Sequence, residues 1–428
     1  MLTLAQAKSA LIYQFEALKT THRQPRIAHL QTKITSSVDL LAWIKGQTIY
    51  PQFYLSFRDE AKTIAAVGQV RSFVNVNLAQ QFIQENNLPL VGGVQFQGES
   101  LFILPQILIE QQNAETIISV FVETDKFDAA KAILDTFEKM AALLPLNQYQ
   151  LKIENVAQKA NQETWCNWVN QALNLIHQEE LTKLVLANET VFHFQGKLNG
   201  KDFLAASQAQ NNGCYHFLWA DNAQNCFVGS TPERLFARDN RLLFTEALAG
   251  TAPVSDNLRE NDESANWLLN DEKNLNENWL VVEDISQNIS HLVEQITIDD
   301  VALKSLRKVQ HLIRKIQAKL TALCTDADLL KAIHPTAAVL GLPQQQAKKA
   351  LAKIETFDRS WYAGTLGVMS QNLSEFCVTI RSAFIEVNKV RVFAGAGIVD
   401  GSKPLEEWFE IERKAAGLIS LFAENNGE

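Results

Sequence analysis

The chain has 428 residues, 46% of them hydrophobic and 20% charged, with a formal net charge of −9. That length is ample for a large buried core, and an acidic balance without a long basic run argues against duplex nucleic acid as a partner. No uninterrupted apolar stretch is long enough to cross a bilayer, and the first residues lack the pattern of a secretory signal, so a cytoplasmic protein with no membrane partner is expected.

In chain order, an amphipathic helix is expected near Leu4 to Leu18, then short strands such as Thr63 to Val70 and Phe102 to Leu108. Ala130, Ile133, Leu134, Phe137, Met140, Ala141 and Leu144 recur at three and four residues, the mark of a helix with one buried face. Residues 1 to 150 read as a smaller N-terminal part of an α+β unit, and 151 to 428 as its main region. There Trp165, Trp168, Val169, Ala172, Leu175 and Ile176 stripe a first helix, followed by strands Leu181 to Phe194, Tyr215 to Ala220, Asn225 to Ser230 and Arg241 to Leu248. A long helix from about Glu260 to Ile285 comes next. Strands Thr365 to Ser370 and Glu375 to Glu386 then flank a turn containing Asn372, with a further strand at Arg391 to Ala394 and a last helix after Pro404. Successive hairpins favour antiparallel sheet, and helices grouped between them make the class α+β. Five cysteines, scattered and never spaced C-x-x-C, read as reduced packing residues.

Several residues are placed where chemistry is possible. Lys183 stands alone in the apolar run Leu181 to Ala187. It is either a solvated strand-edge lysine or a buried amine, stripped of hydration, that can act as a general base. Glu246, in Thr245-Glu246-Ala247-Leu248-Ala249-Gly250-Thr251, is either a turn cap or a general acid that the small residues after it hold close to a ligand. Glu277 lies on the long helix, and Glu407, Glu410 and Lys414 share a face of the last one. These acids are either solvated helix faces or, where they meet, ligands for a hard cation such as Mg²⁺. Arg381 suits bidentate capture of a carboxylate, and the amides near Gly395 and Gly397 can assist.

Taken together, the motifs from Glu163 onward resemble the chorismate-utilising enzymes. They are Gly229-Ser230-Thr231-Pro232-Glu233, Glu246 to Thr251, Lys273-Asn274 with Glu277, His334-Pro335-Thr336 with Gly341, Tyr362-Ala363-Gly364, Ile380-Arg381-Ser382-Ala383, the Ala-Gly-Ala-Gly run, and Pro404 to Lys414. The resemblance implies antiparallel sheets packed as a sandwich with helices outside, the main region being chorismate-binding and catalytic. It implies Lys183 as the base that activates water and Glu246 as the acid that protonates the leaving hydroxyl. Glu277 and Glu410, supported by Glu407, would match Mg²⁺ ligands, and Tyr362, Arg381, Gly395 and Lys414 the residues that hold the substrate carboxylates. Gly250, Thr251, His311 and Thr336 are further pocket positions. Within the family, Lys183, the absence of a Lys at Ala249, and the segments Tyr50 to Tyr54 and Phe102 to Pro105 are similar to isochorismate synthases of the menaquinone branch. Asn274 stands where salicylate synthases tend to have Glu. The expected reaction is the reversible, Mg²⁺-dependent conversion of chorismate to isochorismate, with no obligatory glutaminase subunit. A salicylate synthase, a siderophore-branch isochorismate synthase, an anthranilate-type component and a non-enzymatic binding protein are the alternatives.

Overall fold

The computed structural model describes residues 4–19, 26–124, 143–149, 151–255 and 257–423. The helix expected at Ala130 to Leu144 falls almost entirely outside them. The described strands form two antiparallel sheets, one of twelve strands and one of ten. The larger sheet runs from Ile27–Ile34 through Glu115–Glu123, Ile107–Gln112, Lys62–Val67 and Gln52–Ser56 to Tyr215–Ala220. It continues through Asn225–Thr231, Ser382–Glu386, Lys389–Ile398 and Lys183–Gln195. The smaller sheet centres on Val309–Leu320, Leu242–Pro253, Arg234–Asp239, Leu373–Val378 and Thr365–Met369, and ends in Leu90–Val94, Ser100–Leu104 and Arg71–Phe73.

Strands from the first 150 residues thus complete both sheets. Gln52–Ser56 pairs with Tyr215–Ala220, and Leu90–Val94 with Thr365–Met369. The second pairing is unusually close: a Cβ added at Gly93 would lie 1.8 Å from the carbonyl oxygen of Thr365, so only glycine fits.

Two of the places where the chain passes between the sheets open onto the same cavity. Asn225–Thr231 belongs to the larger sheet and Arg234–Asp239 to the smaller, so Pro232 and Glu233 form the link. The run expected as one strand, Glu375 to Glu386, is two strands in different sheets, Leu373–Val378 and Ser382–Glu386. Its break is at Thr379 to Arg381, where Arg381 takes a left-handed φ of 53°. The two links hydrogen-bond to each other, Ser230 N to Arg381 O at 3.1 Å and Val378 N to Glu233 O at 3.1 Å.

The helix expected from Glu260 to Ile285 is also two, Leu258–Asn270 and Glu272–Ile289. Asp271 separates them and caps the second by accepting the amide of Asn274 at 3.0 Å. Helices Gly200–Gln210, Asp326–Ile333 and Gln344–Ile354 and strand Val309–Leu320 complete the main region. No described helix is long and apolar enough to cross a membrane. All five cysteines are free.

One buried ion pair braces the smaller sheet. Arg238 donates to Asp326 at 2.5 and 2.8 Å and to the carbonyl of Ser370 at 2.8 Å, tying strand, helix and the turn around Asn372 together. Side-chain exposures of 7% and 0% leave water no way to replace a missing partner. Asp326→Ala is therefore expected to cost about 3–5 kcal/mol of unfolding free energy, read as a lower urea midpoint with an unchanged m-value.

Candidate active site

A cavity lies between the two sheets, with about 690 Å³ of empty space when the solvent at its open side is counted. Val185, Phe393, Ala394, Gly395 and Gly397 of the larger sheet face Leu248 to Thr251 and His311 of the smaller, and both links, at Pro232-Glu233 and Ile380-Arg381, open onto it. Helix Glu272–Ile289 supplies Glu277 and the last helix supplies Lys414.

Local structure explains why each group points where it does. The pairing of Leu242–Pro253 with Val309–Leu320 slips between Ala249 and Thr251, a bulge in which Gly250 has a φ of 83°. Asn278, fully buried, donates to the carbonyls of Ala247, Ala249 and Leu312 at 3.0 to 3.3 Å and so fixes the helix carrying Glu277 against that bulge. Asn274, one turn earlier, accepts the amide of Thr251 at 3.2 Å.

Lys183 is fully buried. Its Nζ lies 3.0 Å from Oε1 of Glu277 but off the hydrogen-bonding direction, so the amine has no hydrogen-bond acceptor from the protein. A buried donor left in this state marks a place for water or ligand. Gly397 keeps the space open: a Cβ there would sit 2.2 Å from Glu277 Oε1 and 3.0 Å from Lys183 Cε.

Glu233 lines the cavity and is 4% exposed. Burial, reinforced by the negative charge of Glu246, pushes its carboxyl up to about 8 against the pull of Lys183, Arg58 and Lys414. It holds a proton near neutral pH.

At the other side the cavity is cationic. Lys414 Nζ donates to Gly395 O at 3.0 Å and pairs with Glu410 at 2.6 Å. Arg381 reaches the carbonyl of Lys414 at 3.2 Å and Nε2 of His311 at 3.3 Å. Burial and then the charges of Arg381 and Lys414 hold His311 well below its ordinary range, so it is neutral. With Nε2 accepting from Arg381, the proton sits on Nδ1, beside Thr251 Oγ1 and Gly250 O at 3.1 and 3.3 Å. Burial raises the Tyr362 hydroxyl to about 12, which keeps it a donor. Arg359 also borders the cavity, but Glu355 and the carbonyls of Val339 and Val185 engage its guanidinium.

Gly250, Thr251, Glu277, His311, Tyr362, Arg381, Gly395 and Lys414 thus share the cavity wall. Thr336 does not: its hydroxyl accepts the amide of Ala338 at 3.3 Å in the turn behind the wall. Glu246 is also absent from the lining, since Arg58 holds its carboxylate at 2.6 and 2.5 Å and the amide of Arg234 donates to it at 3.0 Å. Its oxygens are taken up by these donors away from the cavity, and the carboxyl that faces the cavity is Glu233. Residue types near it gave the signal: the small residues Gly229 to Thr231 at a strand end, broken by Pro232.

The remaining acids lie behind Glu277. Lys273 donates to Glu407 at 2.7 Å, and the charges of Glu277 and Glu410 act on the same ammonium. Burial and repulsion from Glu410 raise the Glu407 carboxyl to about 7, whereas Lys414 and Lys273 outweigh burial at Glu410 and lower it. Among the described residues, no three His, Cys, Asp or Glu side chains form a ready-made metal group.

Residues 94–423 match the model of the chorismate binding enzyme family. The chain is 62% identical over 98% of its length to isochorismate synthase MenF of Haemophilus influenzae, covering 97% of that protein. It is 50% identical to the Pasteurella multocida MenF, with 99% of each chain covered. The solved structure of the menaquinone-specific isochorismate synthase MenF from Escherichia coli superposes with a TM-score of 0.90 at 34% identity, covering 97% of this chain and 99% of that one. With the family match spanning most of its length, the chain belongs to the chorismate binding enzyme family.

Proposed function

We propose that this chain is an isochorismate synthase of the menaquinone branch, interconverting chorismate and isochorismate with Lys183 as base and Glu233 as acid. The observation that carries the reading is the fully buried, acceptor-less amine of Lys183, set directly behind the lining residues Glu277 and Gly397 of a cavity that also holds the uncharged carboxyl of Glu233. An amine without a hydrogen-bond acceptor and a protonated carboxyl at one site are the two groups that paired base and acid catalysis requires.

Arg381 and Lys414 hold the substrate's carboxylate groups, with the Tyr362 hydroxyl as a further donor. Lys183 takes a proton from water as the water oxygen bonds to ring carbon C2. The two ring double bonds shift, and Glu233 gives its proton to the C4 hydroxyl, which leaves as water. One water enters and one departs, so the reaction is an isomerisation, reversible with the proton roles exchanged. Ala249 lines the cavity without an amine, which favours water as the nucleophile and removes any need for a glutaminase partner.

A hard divalent cation such as Mg²⁺ would draw on carboxylates that here are paired with lysines and would exchange those partners for the ion. Glu277 and Glu410 offer carboxylate oxygens, with Glu407 behind them, and Lys273 already marks the spot as one that holds positive charge. Two protein carboxylates suffice for an ion that keeps several waters and accepts a substrate oxygen. When bound, it would supply the positive charge that a dianionic substrate needs beside these glutamates.

Incubation with chorismate and Mg²⁺ is expected to give isochorismate at a fixed ratio approached from either side. Lys183→Ala should lower the rate by roughly 10²- to 10⁴-fold with the circular dichroism spectrum unchanged. Accumulation of salicylate and pyruvate in equal amounts would instead identify a salicylate synthase.

A carboxyl raised to about 8 holds its proton below that pH and loses it above, so kcat/KM in the forward direction should fall as pH rises through about 8. Glu233→Gln should abolish this limb along with most of the activity.

Glu277→Ala and Glu410→Ala should each raise the Mg²⁺ concentration at half-maximal activity, about tenfold or more, because each removes one of few hard ligands. An unchanged midpoint in both variants would place these acids outside the metal site.

A further inference from the structure

Glu246 is 3% exposed and does not line the cavity, yet it carries a charge that its strand neighbours Thr245, Ala247 and Leu248 do not. Its surroundings explain the placement. Arg58, in the bend just after strand Gln52–Ser56, sends Nη1 and Nη2 to the Glu246 carboxylate at 2.6 and 2.5 Å. The same Nη1 donates to the carbonyl oxygen of Pro232. On the far side of Glu233, the amide of Arg234 donates to Glu246 Oε1 at 3.0 Å. Both peptide groups that flank Glu233 are therefore fastened to a single ion pair, whose side chains are 4% and 2% exposed. A second tie, Val378 N to Glu233 O at 3.1 Å, leaves the linking segment no backbone freedom.

We propose that Arg58 and Glu246 form a positioning pair for the catalytic acid, holding residues 232–234 so that Glu233 faces the cavity and setting by their charges the pH at which it keeps its proton. The inference rests on the reading of Glu233 as the acid. It also accounts for a cost: two charges buried between sheets are expensive to desolvate, and an apolar pair of similar volume would serve stability as well or better. Such a pair is explained when its charges and its directional hydrogen bonds are used. Glu246 opposes ionisation of Glu233 and Arg58 favours it, within a field that also includes Lys183, Lys414, Arg381 and Tyr362.

The test follows the Glu233 carboxyl itself. Infrared titration of the full-length protein reads the carbonyl stretch of protonated buried carboxyls, and the band lost in Glu233→Gln identifies the one in question. In Glu246→Gln, removal of the negative charge should lower the midpoint of that band by about one pH unit or more, and the alkaline limb of kcat/KM should move with it. The double variant Arg58→Met/Glu246→Met keeps the site filled with apolar volume and removes both flanking hydrogen bonds. It should fold, with kcat reduced roughly ten- to a hundredfold and KM little changed, because the acid is no longer held in register. An unmoved midpoint in Glu246→Gln, or wild-type kcat in the double variant, overturns the proposal. If no titrating band is lost in Glu233→Gln, the assignment of Glu233 as the acid fails instead, and the two failures are told apart by that variant alone.

Discussion

Charge buried between two sheets has to be balanced, and the way this chain balances it defines the site. Glu277 faces Lys183 at 3.0 Å, Glu407 faces Lys273 at 2.7 Å, Glu410 faces Lys414 at 2.6 Å, and Glu246 and Glu355 face Arg58 and Arg359 at 2.5 Å. Each pair offsets part of a desolvation cost that neither charge would survive alone. Among the described residues two cavity groups have no ion-pair partner, Glu233 and Arg381. The first consequence is an acid that keeps its proton near neutral pH. The second is a guanidinium that meets only a carbonyl and a neutral imidazole, at 3.2 and 3.3 Å, and is ready for an anion. Both exceptions line the cavity.

Both exceptions sit where the chain changes sheets. A residue inside a strand is confined to one face by the two-residue alternation of side chains, whereas a link between sheets can aim a side chain into the space that separates them. Arg381 needs a left-handed backbone, φ 53°, to do so, a conformation sustained by the hydrogen bond of its carbonyl to Ser230 N. Rigid strands on both sides of each link then hold the geometry without help from a ligand.

Much of this was readable from residues that interact with near neighbours in sequence. The stripe from Trp165 to Ile176 produced helix Gln162–His177, and the apolar run around Lys183 located a strand and its lone amine. What could not be read depended on distant partners. Glu246 looks like a free acid in an apolar strand because Arg58, which neutralises it, lies 188 residues away. Glu233, followed by Arg234, looks like half of a surface charge pair, yet Arg234 turns instead to Asp59 and Glu375. Strand Val309–Leu320 is buried throughout its first five positions, His311 included, and alternates only from Arg314 onward, where Lys315, Gln317 and Lys319 are exposed, so no single period runs along it. The helix expected up to Ile285 breaks at Asp271, a capping residue that interrupts a continuous polar pattern without a glycine or proline to announce it.

The family match begins at residue 94, so Arg58 and the strand Gln52–Ser56 that presents it lie before it. They are nevertheless structurally continuous with the site, since that strand pairs with Tyr215–Ala220, whose other neighbour, Asn225–Thr231, leads directly into Glu233. Tyr215 adds to the continuity: its ring lies beneath the Arg58 guanidinium, 5.3 Å from centroid to Cζ, and its hydroxyl meets Arg234 at 2.8 Å. A displacement of the N-terminal strands would thus reach the acid through two hydrogen-bonded strands and one ion pair, with no flexible element between. The early part of the chain does more than cover an edge of the sheet, for it supplies the guanidinium that holds both the Glu246 carboxylate and the carbonyl of Pro232 beside Glu233.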